Sequence, residues 1–246
     1  MLIWMALTGC AFLSDKYEGI TNSLVTQGLV MGVMAPESDE VDLSASGFDQ
    51  GVVGNAFLAD TTQVTDLANA PIEGATVTLQ SAGFTEAGAG NYVLTPGGLE
   101  WAPGQTWTLA VSVEGADPGA IAFETQAPVT ATVPDQHTKN TALPIDLTGQ
   151  GYTSALIIVV DASGAVTYNN KPESIREVYD LTRGTTEVTT VEVPAAAFPG
   201  DSVYLVGIAG MNHTVGEDIS GMNDVLSSAL FGVMKWFPTA TVEIPS

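Results

Sequence analysis

The chain has 246 residues, 45% of them hydrophobic, enough to bury one large core or two ordinary ones without staples and too apolar for wholesale disorder. Six Lys and Arg face 28 Asp and Glu, a formal net charge of -22, so the surface repels phosphate backbones and anionic headgroups and nucleic acid is not an expected partner. The single cysteine, Cys10, excludes an intramolecular disulfide.

At the front of the chain, Cys10 ends a short apolar run from Leu2 to Gly9 and precedes a polar stretch, Ser14 to Gly19. No run of about 18 uninterrupted apolar residues occurs, so no transmembrane helix is expected. Leu7-Thr8-Gly9-Cys10 resembles the lipobox of bacterial lipoprotein signal peptides, an aliphatic residue and two small ones before the cysteine. The resemblance implies that the Cys10 thiol is diacylglycerylated and that cleavage occurs just before it. Ala11 after the cysteine implies sorting to the outer membrane. Each buried methylene contributes ~0.8 kcal/mol, so two or three acyl chains anchor firmly where one does not. Nine residues precede Cys10 and none is basic, shorter than a secretory signal. The expectation is a start upstream of Met1 or a fragment. The alternative is a buried structural cysteine in a first strand or helix.

Beyond the tether, period-two and β-branched runs dominate. Leu24 to Met34 reads as a first strand, residues 36–42 as an acidic loop, and Gly51 to Leu58 as the next strand. Residues 74–80 and 106–113 alternate apolar and polar, the pattern of half-buried strands, and Pro103-Gly104 is a turn before the second. Asn91 to Leu94, Ile121 to Glu124 and Val129 to Val133 complete a first series. Residues 155–160 are almost wholly apolar, as expected of a strand buried on both faces. Pro172 to Arg183 is the best helix, with Pro172 in its first turn and Gly184 at its end. Thr185 to Val193, Ser202 to Ile208 and Thr239 to Ile244 read as strands. Met222 to Met234 is ambiguous, since Val225, Leu226, Ala229, Leu230 and Val233 fit helical spacing but Gly232 weakens it.

The expected fold class is all-β, two consecutive β-sandwich domains with one or two short helices in the second. The expected division is 1–23 as signal remnant and tether, 24–140 as the first sandwich and 141–246 as the second, with one continuous large sandwich as the alternative. Gly51 to Gly54, Pro71 to Leu79, Gly90 to Leu94 and Pro103 to Leu109 resemble pieces of the carboxypeptidase-regulatory-like (transthyretin-like) β-sandwich. In that family the Gly-x-Tyr piece sets an aromatic against the core and Pro-Gly-x-x-aromatic opens the next strand. An insertion between Leu58 and Pro71 departs from the pattern. The resemblance implies an accessory, adhesive or scaffold module of the envelope. Residues 141–246 look immunoglobulin-like or fibronectin-like.

Chemistry-bearing residues are few. Gly200-Asp201-Ser202 resembles the nucleophile block of a lipase and esterase superfamily, but it stands late in the chain, and Gly210 occupies the position three before His213 where that family has Asp. A serine nucleophile needs a base in reach and an oxyanion hole, so the preferred reading is a turn feeding a strand. His137 and His213 lack local metal-ligand spacing and read as surface loop residues. Asp39, Glu40, Asp42 and Asp49, like Glu217-Asp218 and Asn223-Asp224, read as solvated loops rather than ordered calcium ligands. Trp107 reads as core, Trp101 and Trp236-Phe237 as surface aromatics. The expectation is therefore a lipid-anchored, non-enzymatic binding, adhesion or scaffold protein of the bacterial envelope. No cofactor, metal or catalytic residue is expected, and its expected partners are a membrane, through Cys10, and an envelope protein or glycan. The alternative is a secreted carbohydrate-active or hydrolytic protein.

Overall fold

A computed structural model of the chain describes residues 23–37, 41, 43, 48, 51–61, 70–94, 98–172 and 175–242. The chain is nearly all β, as expected. The first series of strands is β1 (Leu24–Val33), β2 (Gly51–Asp60), β3 (Thr76–Leu79), β4 (Ala82–Gly88), β5 (Asn91–Leu94), β6 (Thr106–Ser112) and β7 (Gly119–Glu124). After β8 (Gln136–Thr138) and β9 (Leu143–Asp146) come β10 (Ser154–Asp161), β11 (Val166–Asn169) and the helix α1 (Ile175–Leu181). The last strands are β12 (Thr190–Val193), β13 (Val203–Thr214), β14 (Ile219–Ser220) and β15 (Ser228–Val242).

A continuous hydrogen-bonded path runs β11-β10-β13-β15-β1-β2-β5-β4-β3-β6-β7-β14. It folds over at β4, whose first residues pair with Thr78 and Leu79 while Phe84 to Gly88 pair with β5. A second layer, β3-β6-β7-β14, thereby lies over β1, β2 and β5. Backbone pairing does not stop near residue 140. β1 pairs parallel with β15 over seven residues, Gln27↔Ser228 to Val33↔Met234, and antiparallel with β2 over ten.

Both faces of the long sheet are covered. Between the two layers lie Val30, Leu58, Leu79, Tyr92, Leu109 and Ile121, none more than 1% exposed. Farther along the same face, Ile157, Val159, Val206 and Ile208 pack on the β9–β12 ribbon with Val129 and Phe198. On the opposite face Met31, Ile158, Leu205, Met234 and Trp236 meet Val41, Leu43 and Leu181. Fully burying one such side chain contributes roughly 1.5–3 kcal/mol. β10 lies between two of these cores, which is why residues 155–160 are apolar without alternation.

Tyr92 is buried, its hydroxyl donates to Ile72 O and it accepts from Ala75 N–H, both at 3.0 Å. Trp107 is core, as expected, with Trp101 edge-on at 5.2 Å.

Several expectations are corrected. The ambiguous stretch 222–234 resolves as a turn and a strand, with no helix. Asn223 accepts the Val225 and Leu226 amides in a turn, and β15 starts at Ser228. Both faces of β15 are buried, so the apolar residues carry no period to separate strand from helix. Only Thr190–Val193 of 185–193 is strand, and 129–133 is not strand, although Val129 is buried. Trp236 is not a surface aromatic, being 2% exposed inside a core, and Trp101 and Phe237 are half-buried.

The helix lies within the expected 172–183 but is shorter at both ends, with Pro172 ahead of it and not in its first turn. The Ser228 hydroxyl donates to Gln27 Oε1 and its oxygen lies 3.0 Å from Thr182 Oγ1. Arg183 donates to Val225 O. These contacts tie the end of α1 to β15 and β1.

Candidate functional site

The structure separates the residues that a hydrolytic site would need together. Ser202 precedes β13 and His213 is near its far end. Eleven residues of extended chain put them about 36 Å apart at ~3.3 Å per residue. Gly200-Asp201-Ser202 is a fastened turn. Tyr204 Oη both donates to Gly200 O and accepts from its N–H at 3.1 Å. Thr241 Oγ1 accepts from Ser202 N–H at 2.9 Å and donates to Gly200 O at 2.7 Å. The turn reading fits these bonds.

Neither histidine is a loop residue. His137 lies on β8, its ring Nε2 2.9 Å from Thr141 O and its edge against Phe198. His213 lies on β13 with Nδ1 3.1 Å from Thr153 Oγ1. Among the described residues no three His, Cys, Asp or Glu converge to hold a metal ion, and no helix is long and apolar enough to cross a membrane. Asn223 is not solvated but buried, whereas Asp224, Glu217 and Asp218 are exposed. Cys10, Asp39, Glu40, Asp42 and Asp49 lie outside the described residues.

Burial, with the Arg183 charge adding to it, holds the His213 imidazole below its ordinary 6.5. The unfolded chain then binds the proton more readily than the folded one. Stability from this group is complete above pH 6.5 and is lost as pH falls toward the lower folded value. Denaturant midpoints of the native protein and of His213→Gln, measured from pH 7.5 to 5, should therefore diverge, the native protein losing more. Parallel curves would show that His213 does not contribute.

A cleft of about 500 Å³ opens at the seam where the cover of the long sheet changes from β7 to the β9–β12 ribbon. The seam is built around Gln126, just past β7. Its Nε2 donates to Gly210 O at 2.9 Å and Phe231 O at 3.0 Å. Its Oε1 accepts from Asn212 Nδ2 at 2.7 Å, and its backbone carbonyl accepts from Trp101 Nε1 at 2.9 Å. Asn212 Oδ1 in turn accepts from Thr153 N–H at 3.1 Å. Phe123 and Phe231 stack below, centroids 4.6 Å apart. The side chains of Gln126 and Asn212 are thus held in fixed orientations by backbone groups of β13, β15 and the residue before β10.

Around this frame, Thr106, Glu124, Thr214 and Asp218 line the cleft with side chains that make no hydrogen bond among the described residues. Thr214 is the informative one. It is only 6% exposed, yet its hydroxyl has no partner among the described residues and opens on the cleft. Asn212 keeps one amide hydrogen free.

Reading the sequence alone did not single out Gln126, Asn212 or Thr214. A signal exists in β13. Tyr204, Val206 and Ile208 occupy one face, and the same parity continues through Gly210 into Asn212 and Thr214. An apolar face that turns polar before its strand ends marks a place where the cover over it opens.

Neither a protein-family profile nor a curated protein matches the chain. Among solved structures, the chain is similar to a biofilm associated protein, BSP domain, with 9% identity and a TM-score of 0.25 over 79% of this chain. The likeness spans 28% of that protein's chain.

Proposed function

We propose that this protein is a non-enzymatic binding, adhesion or scaffold module of the bacterial envelope, held to a membrane by lipid on Cys10. The observation that supports the reading best is the placement of β1. It follows directly on the tether and sits at the centre of the long sheet, between β2 and β15. Ladder hydrogen bonds run across the strands, so tension along β1 loads them side by side instead of peeling them one at a time. Because β15 is parallel to β1, a pull on the front of β1 and on the end of β15 shears their seven-residue register as a unit. That geometry suits a body that is tethered at one end and loaded at the other.

Two measurements on the full chain test the two parts of the reading. A clickable palmitate analogue fed to expressing bacteria should label the native protein and leave Cys10→Ala unlabelled and released from membranes. Equal labelling of both would overturn the anchor. Pulled by its ends in a force spectrometer, the protein should break in one dominant high-force event. Gradual extension at low force would overturn the scaffold reading.

A further inference from the structure

We propose that the seam cleft between β7 and the end of β13 is a saccharide site, and that the saccharide it takes carries amines: a chain of amino sugars with free ammonium groups. The inference rests on the reading of this protein as a binding module and names the ligand class of its cleft.

The cleft's chemistry carries it. Its volume, about 500 Å³, lies in the range of small-ligand sites and fits a short oligosaccharide segment. The open polar groups on its walls are of the kinds that hydroxyls satisfy. They are the Thr214 and Thr106 hydroxyls, each able to donate and accept, and the free N–H of Asn212. Thr214 is the strongest of these. Its residue is only 6% exposed, and its hydroxyl, unpartnered among the described residues, reaches solvent through the cleft, where a ligand hydroxyl can take the water's place. Asn212 is not free to turn away, since Gln126 and Thr153 fix both ends of its amide. A preorganised wall of this kind binds without ordering itself first.

Charge selects among saccharides. Glu124 at the end of β7 and Asp218, in the short turn Gly216–Asp218, both line the cleft, and no lining residue is Lys or Arg. Uronates, sulfated sugars and phosphates therefore meet only negative charge. Neutral sugars gain hydrogen bonds alone, whereas an ammonium group gains a carboxylate as well. The whole chain's charge of -22 adds long-range attraction for such a ligand. That general attraction is also the effect from which the site must be distinguished.

The experiment is a calorimetric titration of the full chain with the fully de-N-acetylated glucosamine tetramer. The N-acetylated tetramer and a tetragalacturonate serve as comparison ligands. The expected order is de-N-acetylated, then N-acetylated, with no binding of the uronate. Thr214→Val keeps shape and charge and removes only the hydroxyl, and should weaken binding about tenfold, the worth of one well-placed hydrogen bond. Glu124→Gln with Asp218→Asn should bring the de-N-acetylated ligand down to the affinity of the N-acetylated one. Glu114→Gln with Asp117→Asn removes the same charge from the β6–β7 turn and should leave affinity unchanged. The proposal is overturned if no tetramer binds, if Thr214→Val binds like the native protein, or if the remote pair weakens binding as much as the cleft pair. Unfolding under force does not read the cleft, so this inference and the scaffold reading fail separately.

Discussion

Gly232→Ala is expected to destabilise the protein by about 2–3 kcal/mol, the cost of forcing atoms into a packed core. Gly232 lies in β15, paired with Met211 of β13 on one side and Met31 of β1 on the other. A Cβ there would sit 2.3 Å from the carbonyl oxygen of Gly210 and 2.4 Å from the sulfur of Met211. The sulfur can swing aside, but the carbonyl belongs to the neighbouring strand's backbone and moves only if β13 and β15 separate. That pairing runs over twelve residues and links the β10–β11 side of the sheet to the rest. The neighbouring glycines are occupied from above in the same way. A Cβ on Gly210 would meet the Tyr152 ring at 2.4 Å, and one on Gly32 the Trp101 ring at 2.6 Å. Gly83→Ala is the control, since nothing lies within 4 Å of its Cβ position and the residue sits in an ordinary strand conformation. Chemical denaturation of both variants checks the expectation. A midpoint shift for Gly232→Ala as small as that for Gly83→Ala would show that the strands accommodate the methyl group.

The same glycines explain what the sequence could and could not disclose. Gly232 inside a run of apolar residues weakened a helix reading, but its reason, a crossing of backbones at the sheet's centre, depends on β1 and β13 and is invisible locally. The elements that were legible are those whose pattern is internal: β1, the alternating β3 and β6, the apolar β10, and α1 with Pro172 before it. The pairing of β1 with β15 was not legible, because more than two hundred residues separate Gln27 from Ser228 and both strands are buried on both faces. A strand without a polar face gives no register and no partner. The cleft failed for a related reason. Gln126, Asn212 and Thr214 have no spacing that marks a site, and they meet only because the chain leaving β7 passes over the end of β13. Ser202 and His213, which drew attention as residue types, are held apart by the length of the strand between them.

Trp236 offers the other large effect, and it separates shape from hydrogen bonding. Its side chain is 2% exposed, and its ring lies over Gly207, where a Cβ would come within 2.6 Å of it. Truncation to alanine removes the largest side chain in that core and should cost about 3–5 kcal/mol. Its indole N–H is buried with no hydrogen-bond partner among the described residues. Trp236→Phe loses part of the ring's volume but also removes that donor, whose burial without a partner costs roughly 1–3 kcal/mol. The two changes oppose each other, so Trp236→Phe is expected to cost under about half of what Trp236→Ala does. Equilibrium unfolding of both variants, with near-ultraviolet dichroism to confirm native packing, measures the difference. If phenylalanine proves as damaging as alanine, the indole N–H is satisfied in the native protein, and a partner for it must be sought on the face that Val41 and Leu43 share with Trp236.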